Sequence, residues 1–345
     1  MQTFKSLNDF PILLAPMVGL THAALRKSLD QYYPRTSQVL TPTEMLNSRR
    51  IPGQELGQTP QTVLNENERN LHPQILGNDE KHIAPTIHKL HEWGAKAIDI
   101  NMGCPVNKAL KHNYGVALMG DMKYAGEVVN IAKRNSPIPI SVKLRAGTQD
   151  DRDYLLNFCE NLIENGADWL CLHPRLAHEK RKGTADWSQI ALLKDRLDVP
   201  IIGNGDIQCY EDITEMLSST NCDAVMIGRA LTCKPWLITE YAHKNGYDLT
   251  QEQLQLIPRN EYEEYQIYCN FLMDFISNCF DLFIEKEALK RIRFFVRVNH
   301  VWLNFGHSFV KGVHKLNDRS ELIDFVQMKK ENQSIKIGKR TTLRY

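Results

Sequence analysis

Ile98-Asp99-Ile100-Asn101-Met102-Gly103-Cys104-Pro105 is the stretch on which the reading of this chain turns. Ile98, Ile100 and Met102 alternate with Asp99, Asn101 and Gly103, a period of two that marks a buried strand. The Gly/Pro turn that follows ends the strand and leaves Cys104 just past its carboxyl end. Two uses of that thiol stay open on the residues alone: a reactive group at the mouth of a fold, or a small apolar residue in the core.

Working outward, Ile83, Ile87 and Leu90 recur at helical spacing and stop at Gly94-Ala95, just before this strand. Tyr154, Leu155, Phe158 and Leu162 do the same before Gly166-Ala167, so helix, Gly-Ala, strand is a repeated unit. Eight short apolar segments (residues 12–17, 38–45, 73–76, 97–102, 140–144, 169–173, 200–203 and 224–227) are separated by stretches long enough for a helix. Such alternation requires parallel strands, and eight of them close most economically into a (β/α)8 TIM barrel. An open doubly wound sheet is the second choice, weakened because no G-x-G-x-x-G opens the first helix.

The expected fold class is therefore α/β, a TIM barrel over residues 1–245 followed by an α-helical domain over 246–345. In the second part strand-like runs stop, and helical patterns occupy 254–276, 282–303 and 321–330, after a linker at 246–259 that contains Pro258. From about residue 331 the chain reads as a loose basic tail.

With 345 residues there is room for both parts, and 42% hydrophobic and 24% charged residues are ordinary for a soluble globular protein. No run reaches the ~18 apolar residues of a membrane span. The first residues lack the small-residue cleavage site of a secretory signal, so a cytoplasmic location is expected. Eight cysteines occur with no C-x-x-C pair and no short His/Cys spacing, so neither a metal site nor a disulfide framework is expected. The net charge of +1 hides a polarity: residues 286–345 hold 14 Lys+Arg against 5 Asp+Glu, whereas residues 1–285 hold 28 against 36. A basic end on an acidic body suits a polyanionic partner or, more blandly, a solvated tail.

Polar residues just past the carboxyl ends of barrel strands line the mouth. Here those ends carry Pro16-Met17-Val18, Gln74, Asn101 and Cys104, Lys143 and Arg145, and His173 and Arg175. The turns Asn204-Gly205-Asp206 and Gly228-Arg229 follow the seventh and eighth strands, where barrels commonly hold a phosphate, and Arg229 would add charge-assisted hydrogen bonds. An inward Lys143 can form a Schiff base, serve an electron-rich cofactor as a fixed cation, or reach to solvent. His173 can donate to a cofactor or be an ordinary strand-end histidine, and Asp206 can bind ribityl hydroxyls or cap a helix.

Taken together, APMVGLT (15–21), DINMGCP (99–105), GVALM (115–119), SVKLRAG (141–147), HPR (173–175), GTADW (183–187), NGDI (204–207) and DAVMIGRA (223–230) resemble the tRNA-dihydrouridine synthase family over residues 10–240. The segment Ala288–Phe295 is more loosely similar to the bacterial branch that modifies position 16 of the D-loop. The resemblance implies an FMN-carrying barrel and a helical domain that grips tRNA. Pro16, Met17 and Val18 match the flavin-contacting first strand end, Gln74 and Lys143 the groups that bond the isoalloxazine, and His173 the flavin-site histidine. Asn204, Gly205, Asp206, Gly228 and Arg229 match the phosphate site. Cys104 matches the proton donor, and Asn101 and Arg145 match residues beside the target uridine.

Reduction of the uracil C5=C6 bond needs a hydride at C6, which reduced FMN can supply with NADPH as external reductant, and a proton at C5, which a thiol can supply. Lys290, Arg293, Arg297 and His300 recur at i, i+3, i+7 and i+10, with Arg291 close by, and form the candidate face for tRNA phosphates alongside Arg175. A monomer suits so large a substrate. The sequence departs from the family pattern at His22, where an acidic residue is usual, at Pro174, and in the basic loop 176–182. An FMN-dependent reductase of a free pyrimidine, an inactive tRNA-binding protein and a Schiff-base aldolase are the competing readings.

Overall fold

The computed structural model describes residues 3–106, 111–180, 182–332 and 334–342. Its strands are β1 (Ile12–Leu14), β2 (Leu40–Pro42), β3 (Leu46–Asn47), β4 (Asn70–His72), β5 (Gln74–Leu76), β6 (Ile98–Met102), β7 (Ile140–Gly147), β8 (Trp169–Leu176), β9 (Ile201–Asn204) and β10 (Ala224–Ile227). The sheet runs β1-β10-β9-β8-β7-β6-β5-β3, every pairing is parallel, and a second parallel pair joins β2 to β4. Asp9 N donates to Gln38 O at 3.0 Å, and Leu40 N to Asn8 Oδ1 at 3.0 Å, stitching the first strand's approach to the second's. This is the TIM barrel that the alternation of segments predicts.

The second and third barrel strands differ from expectation because each is cut in two at a proline. Pro42 ends β2 before β3 starts, and Pro73 separates β4 from β5. Neither proline has an N–H for the ladder. β7 and β8 instead run longer than the predicted 140–144 and 169–173, so Arg145 and Arg175 belong to strands and not to the loops beyond them.

Helices of two turns or more are α1 (Ala23–Asp30), α2 (Glu80–Glu92), α3 (Met122–Arg134), α4 (Arg152–Glu164), α5 (Ser188–Arg196), α6 (Tyr210–Thr220), α7 (Leu237–Lys244), α8 (Glu261–Leu282), α9 (Glu285–Asn299), α10 (Gly306–Lys315) and α11 (Arg319–Lys330). Their starts are set by local chemistry: Asp79, Asp121, Asp151, Asn260 and Asp318 each accept a first-turn N–H through the side chain. Asn260, two residues after Pro258, explains why α8 begins later than the predicted 254. The helix at Gly306–Lys315 is not anticipated by the sequence reading.

Alternation along the strands divides the core in two. Ile98, Ile100 and Met102 face outward into a large cluster between sheet and helices, which also takes in Phe271, Phe275, Ile292 and Phe295 of α8 and α9. A smaller cluster of Phe4, Leu7, Leu13, Leu40, Trp169, Cys171, Ile202 and Met226 fills the barrel's interior. The one-turn helix Phe4–Leu7 plugs its amino-terminal end, with the Phe4 and Trp169 rings 5.4 Å apart.

The helical part packs directly on the barrel. Asn278 Nδ2 donates to Ser28 Oγ (2.9 Å), Gln253 Nε2 to Tyr33 O (2.7 Å), and Thr232 Oγ1 to Asn299 Oδ1 (2.6 Å). The tail, expected to be loose, is pinned. Ile335 and Ile337 are buried, Leu303 and Ile337 form an antiparallel bridge, and Lys234 Nζ donates to Lys339 O at 2.6 Å. Arg340 pairs with buried Asp212 at 2.5 Å, and Thr341 N donates to Gln208 Oε1 at 2.9 Å. Two isoleucines in an otherwise polar segment supply the anchor. Among the described residues no helix is long and apolar enough to cross a membrane.

Candidate active site at the carboxyl end of the barrel

The loop after β6 is held from both sides. Asn101 Oδ1 accepts from Gly103 N (3.2 Å) and Cys104 N (2.9 Å), while Cys104 O accepts from Val116 N (3.2 Å). Gly115, at φ +60°, lies so close that a Cβ there would sit 2.5 Å from Cys104 O, which is why only glycine fits. Residues 107–110, between these anchors, lie outside the description. Burial pushes the Cys104 thiol above its ordinary value, outweighing the Val106 backbone N–H and Arg145. Cys104 is thus a protonated thiol on a fixed backbone, and it is the one half-exposed cysteine among eight.

Below the loop the barrel interior is polar. Gln74 Nε2 donates to Asp99 Oδ2 (2.6 Å), Ser141 Oγ to Asp99 Oδ1 (2.6 Å), and Asn101 Nδ2 to Gln74 Oε1 (2.7 Å). His72 Nε2 lies 2.9 Å from Ser141 Oγ. Strand register explains the grouping, since Gln74, Asp99 and Ser141 are successive cross-strand partners, as are Asn101 and Lys143. Burial raises the Asp99 carboxyl to about 6 against the opposing pull of Gln74, Ser141 and Lys143. The sequence reading does not single out Asp99 or Ser141, although they share the inward faces of Asn101 and Lys143; the period-two pattern contained the signal.

Lys143 is half-buried, and desolvation lowers its pKa, with Cys171 and Asp99 opposing that shift. Its ammonium makes one hydrogen bond among the described residues, Nζ to Asn204 Oδ1 at 2.9 Å, which leaves donor capacity for an electron-rich ligand. Asn204 is itself oriented by donating to Met226 O at 2.6 Å. His173 is held neutral by burial and by Lys143, Arg145, Arg175 and Arg229 around it. Arg175 Nη1 donates to its Nε2 at 3.1 Å, so the ring proton sits on Nδ1. Gly205, at φ +118°, packs so closely that a Cβ would lie 2.9 Å from both Ala185 Cβ and His173 Cδ2. A half-buried cation with spare donors, a neutral histidine and a bare glycine turn together fit a planar, electron-rich cofactor with an anionic tail.

Two arginines of the mouth are tied to the protein's own loops. Arg175, expected to meet RNA, is buried at 4% exposure and binds Asp206 through Nη2 at 2.6 Å, as well as Lys182 O and Gly183 O. Asp206 in turn accepts from Ala185 N, so this carboxylate braces the turn. Arg145 donates to Gly103 O (2.9 Å) and Lys180 O (2.9 Å), tying the Cys104 loop to the basic loop. Arg181 of that loop lies outside the described residues.

After β1, Thr21 Oγ1 donates to Ala15 O and accepts from Met17 N, fixing Pro16, Met17 and exposed Val18 at the rim. Met17 Sδ would lie 3.5 Å from a Cβ on Gly228, so the ends of β1 and β10 converge; Arg229 precedes the one-turn helix Ala230–Cys233. Gly19 N donates to Glu44, whose other oxygen pairs with Arg291 at 3.2 Å, and both side chains of that pair are buried. Phe294 packs on Gly19. Arg291 therefore latches α9 to the mouth and is unavailable to RNA. Nothing in the sequence marks Glu44. His22 is likewise buried, between the Phe275 and Phe283 rings, and lies in this interface and not at the mouth.

Of the candidate basic face, Lys290 is exposed beside Glu287, and Arg297 Nη2 lies 3.4 Å from His314 Nε2. Arg293 fastens α9 to the turn before α11 through Leu316 O and Asn317 Oδ1. His300 Nδ1 donates to Arg297 O at 2.6 Å.

A model of the family "Dihydrouridine synthase (Dus)" matches residues 13–311. The protein named "Probable tRNA-dihydrouridine synthase" from Mycobacterium tuberculosis (strain CDC 1551 / Oshkosh) is 35% identical over 239 residues, 67% of this chain and 61% of that protein. "Probable tRNA-dihydrouridine synthase 1" of Synechocystis sp. is 32% identical over 233 residues, 67% and 64% of the two chains. The protein from Aquifex aeolicus is 31% identical over 242 residues, 69% and 74%. The chain thus spans about three-fifths of the length of the first of these relatives.

Proposed function

The chain belongs to the dihydrouridine synthase family, and from that premise we propose that it is a tRNA-dihydrouridine synthase, a flavoprotein that reduces the C5=C6 bond of a D-loop uridine with FMN and NADPH. Position 16 is the uridine we assign, on the loose similarity of α9. The observation that carries the reading is the pairing, in one barrel mouth, of a protonated, backbone-fixed Cys104 with a half-buried cation, Lys143, that keeps donors to spare.

Lys143, Gln74 and the Nδ1–H side of His173 would hold the flavin ring. Pro16, Met17 and Val18 would flank it, and Gly205, Gly228 and Arg229 would receive its phosphate, with Asn204 and Asp206 shaping that site. Bound FMN supplies hydride chemistry at the uracil C6. Cys104 holds a proton at Sγ and delivers it to C5, and its raised pKa keeps the proton in place until the base arrives. Asn101 and Arg145 keep the Cys104 loop in position beside the base. Extrusion of the uridine into the mouth is matched by phosphate contacts from Lys290 and Arg297, with Arg293 setting the helix. The site requires no metal. A cytoplasmic monomer is the form that suits a tRNA substrate.

The test is direct. Purified protein is examined by visible spectroscopy, then given NADPH and tRNA lacking dihydrouridine, and the product is mapped by position. Flavin bands and dihydrouridine at one D-loop site are expected. A colourless protein that binds tRNA without modifying it would favour the binding-protein reading, and reduction of free uracil or orotate without RNA would favour a pyrimidine reductase.

A further inference from the structure

The polar interior beneath Cys104 is a chain of hydrogen bonds with a direction. An ionised carboxylate can only accept, so Asp99 draws the Ser141 hydroxyl hydrogen to Oδ1 and the Gln74 amide hydrogens to Oδ2. Gln74 must then present its oxygen to Asn101, whose amide hydrogens turn toward it. That turn leaves Asn101 Oδ1 facing upward, where it accepts from the backbone N–H groups of Gly103 and Cys104. On the other side, the Ser141 oxygen is left to accept from His72 Nε2. One carboxylate, three bonds below the loop, fixes both amide orientations in between.

We propose that Asp99 is the positioning residue of this site: its carboxylate polarises the chain Asp99–Gln74–Asn101 and thereby holds the Cys104 backbone in place. The inference rests on the reading of Cys104 as the working thiol. Were Asp99 able to donate, Gln74 could reverse its amide and Asn101 would follow. Its NH2 group would then face the Gly103 and Cys104 N–H groups, donor against donor, and the loop would lose its two holding bonds. Charge alone does not explain the arrangement, because Lys143 balances Asp99 whichever way the amides point.

The test is the alkylation rate of Cys104 by iodoacetamide in the purified protein as isolated, read by peptide mass. The other seven cysteines are buried, so the signal is specific. Asp99→Asn is expected to speed alkylation about tenfold, the loss of protection that follows one buried hydrogen bond. Adding Gln74→Glu to that variant restores an obligatory acceptor one link along, facing the Asn101 amide hydrogens, and is expected to return the rate to near wild type. An unchanged rate in Asp99→Asn, or a double variant as fast as the single one, overturns the proposal. Should Asp99→Asn fail to fold, as judged by near-ultraviolet circular dichroism, Gln74→Met cuts the same chain while leaving Asp99 in place, and an unchanged rate there overturns it equally. The assay needs neither RNA nor NADPH, so it can fail while the proposed function stands, and the reverse.

Discussion

The two ends of the barrel's interior are filled by opposite chemistry. At the amino end, Phe4, Leu7, Leu13, Leu40 and Trp169 make an apolar plug. Beside this plug and beyond it, on β6, β7 and β9, the filling is polar, with Ser141 donating to Asp99 and Lys143 to Asn204. β7 and β8 meet at the boundary: Ser141, Lys143 and Arg145 on one stand opposite Trp169, Cys171 and His173 on the other, so β7 is polar throughout its inward face and β8 passes from apolar to polar. Buried apolar area stabilises the first end, whereas at the second each polar group gains little beyond what water would give it and is costly if unpaired. The plug is therefore where stability resides, and the polar end is where orientation is stored.

The comparison can be broken most sharply at Cys104. Cys104→Ala is expected to retain FMN and its melting temperature while dihydrouridine formation falls by about 10²–10⁴, the usual worth of a positioned acid; a mass-spectrometric count of dihydrouridine checks it. Trp169→Ala should do the reverse, costing about 3–5 kcal/mol in urea unfolding with Cys104 alkylation unchanged in the folded protein.

The third test is pH. The folded Asp99 carboxyl titrates at about 6, above its unfolded value, so the unfolded chain releases that proton first as pH rises. Asp99 therefore costs the fold stability progressively from about pH 4 to 6, on the order of 3 kcal/mol, and the cost is constant above that. Asp99→Asn should flatten the pH dependence of unfolding in this window, while Trp169→Ala should leave its shape unchanged. The smallest effect is expected outside both ends: Lys290→Gln should weaken tRNA binding by a few-fold and lower its salt dependence by about one unit of slope, measured by filter binding.

Strand alternation and helix spacing made the barrel legible, because burial imposes a period that residues report one by one. Where backbone chemistry interrupts that period, at Pro42 and Pro73, the expected strands and the observed ones part. Cys104 and the two glycine turns are legible as a mouth because they follow strand ends, and Lys143 and His173 because they are polar side chains at inward strand positions flanked by apolar residues. Arg175 and Arg291 were not readable as internal ties, since a charged side chain's direction depends on a partner remote in sequence, Asp206 in one case and Glu44 in the other. The anchoring of the tail is illegible for a similar reason: its composition is polar, and two isoleucines outweigh it only because the barrel offers them a surface.

That tail has a consequence in time. A chain made from its amino end has completed the ten described strands by Ile227, yet Glu211 receives its Lys339 partner 128 residues later in sequence. At about 5–20 residues per second, synthesis leaves the edge of α6 unfastened for roughly 6–26 s. The newborn barrel therefore passes through a provisional phase in which its last helices and its final strap are still to come, and a protease acting on nascent chains would meet this edge while it is open.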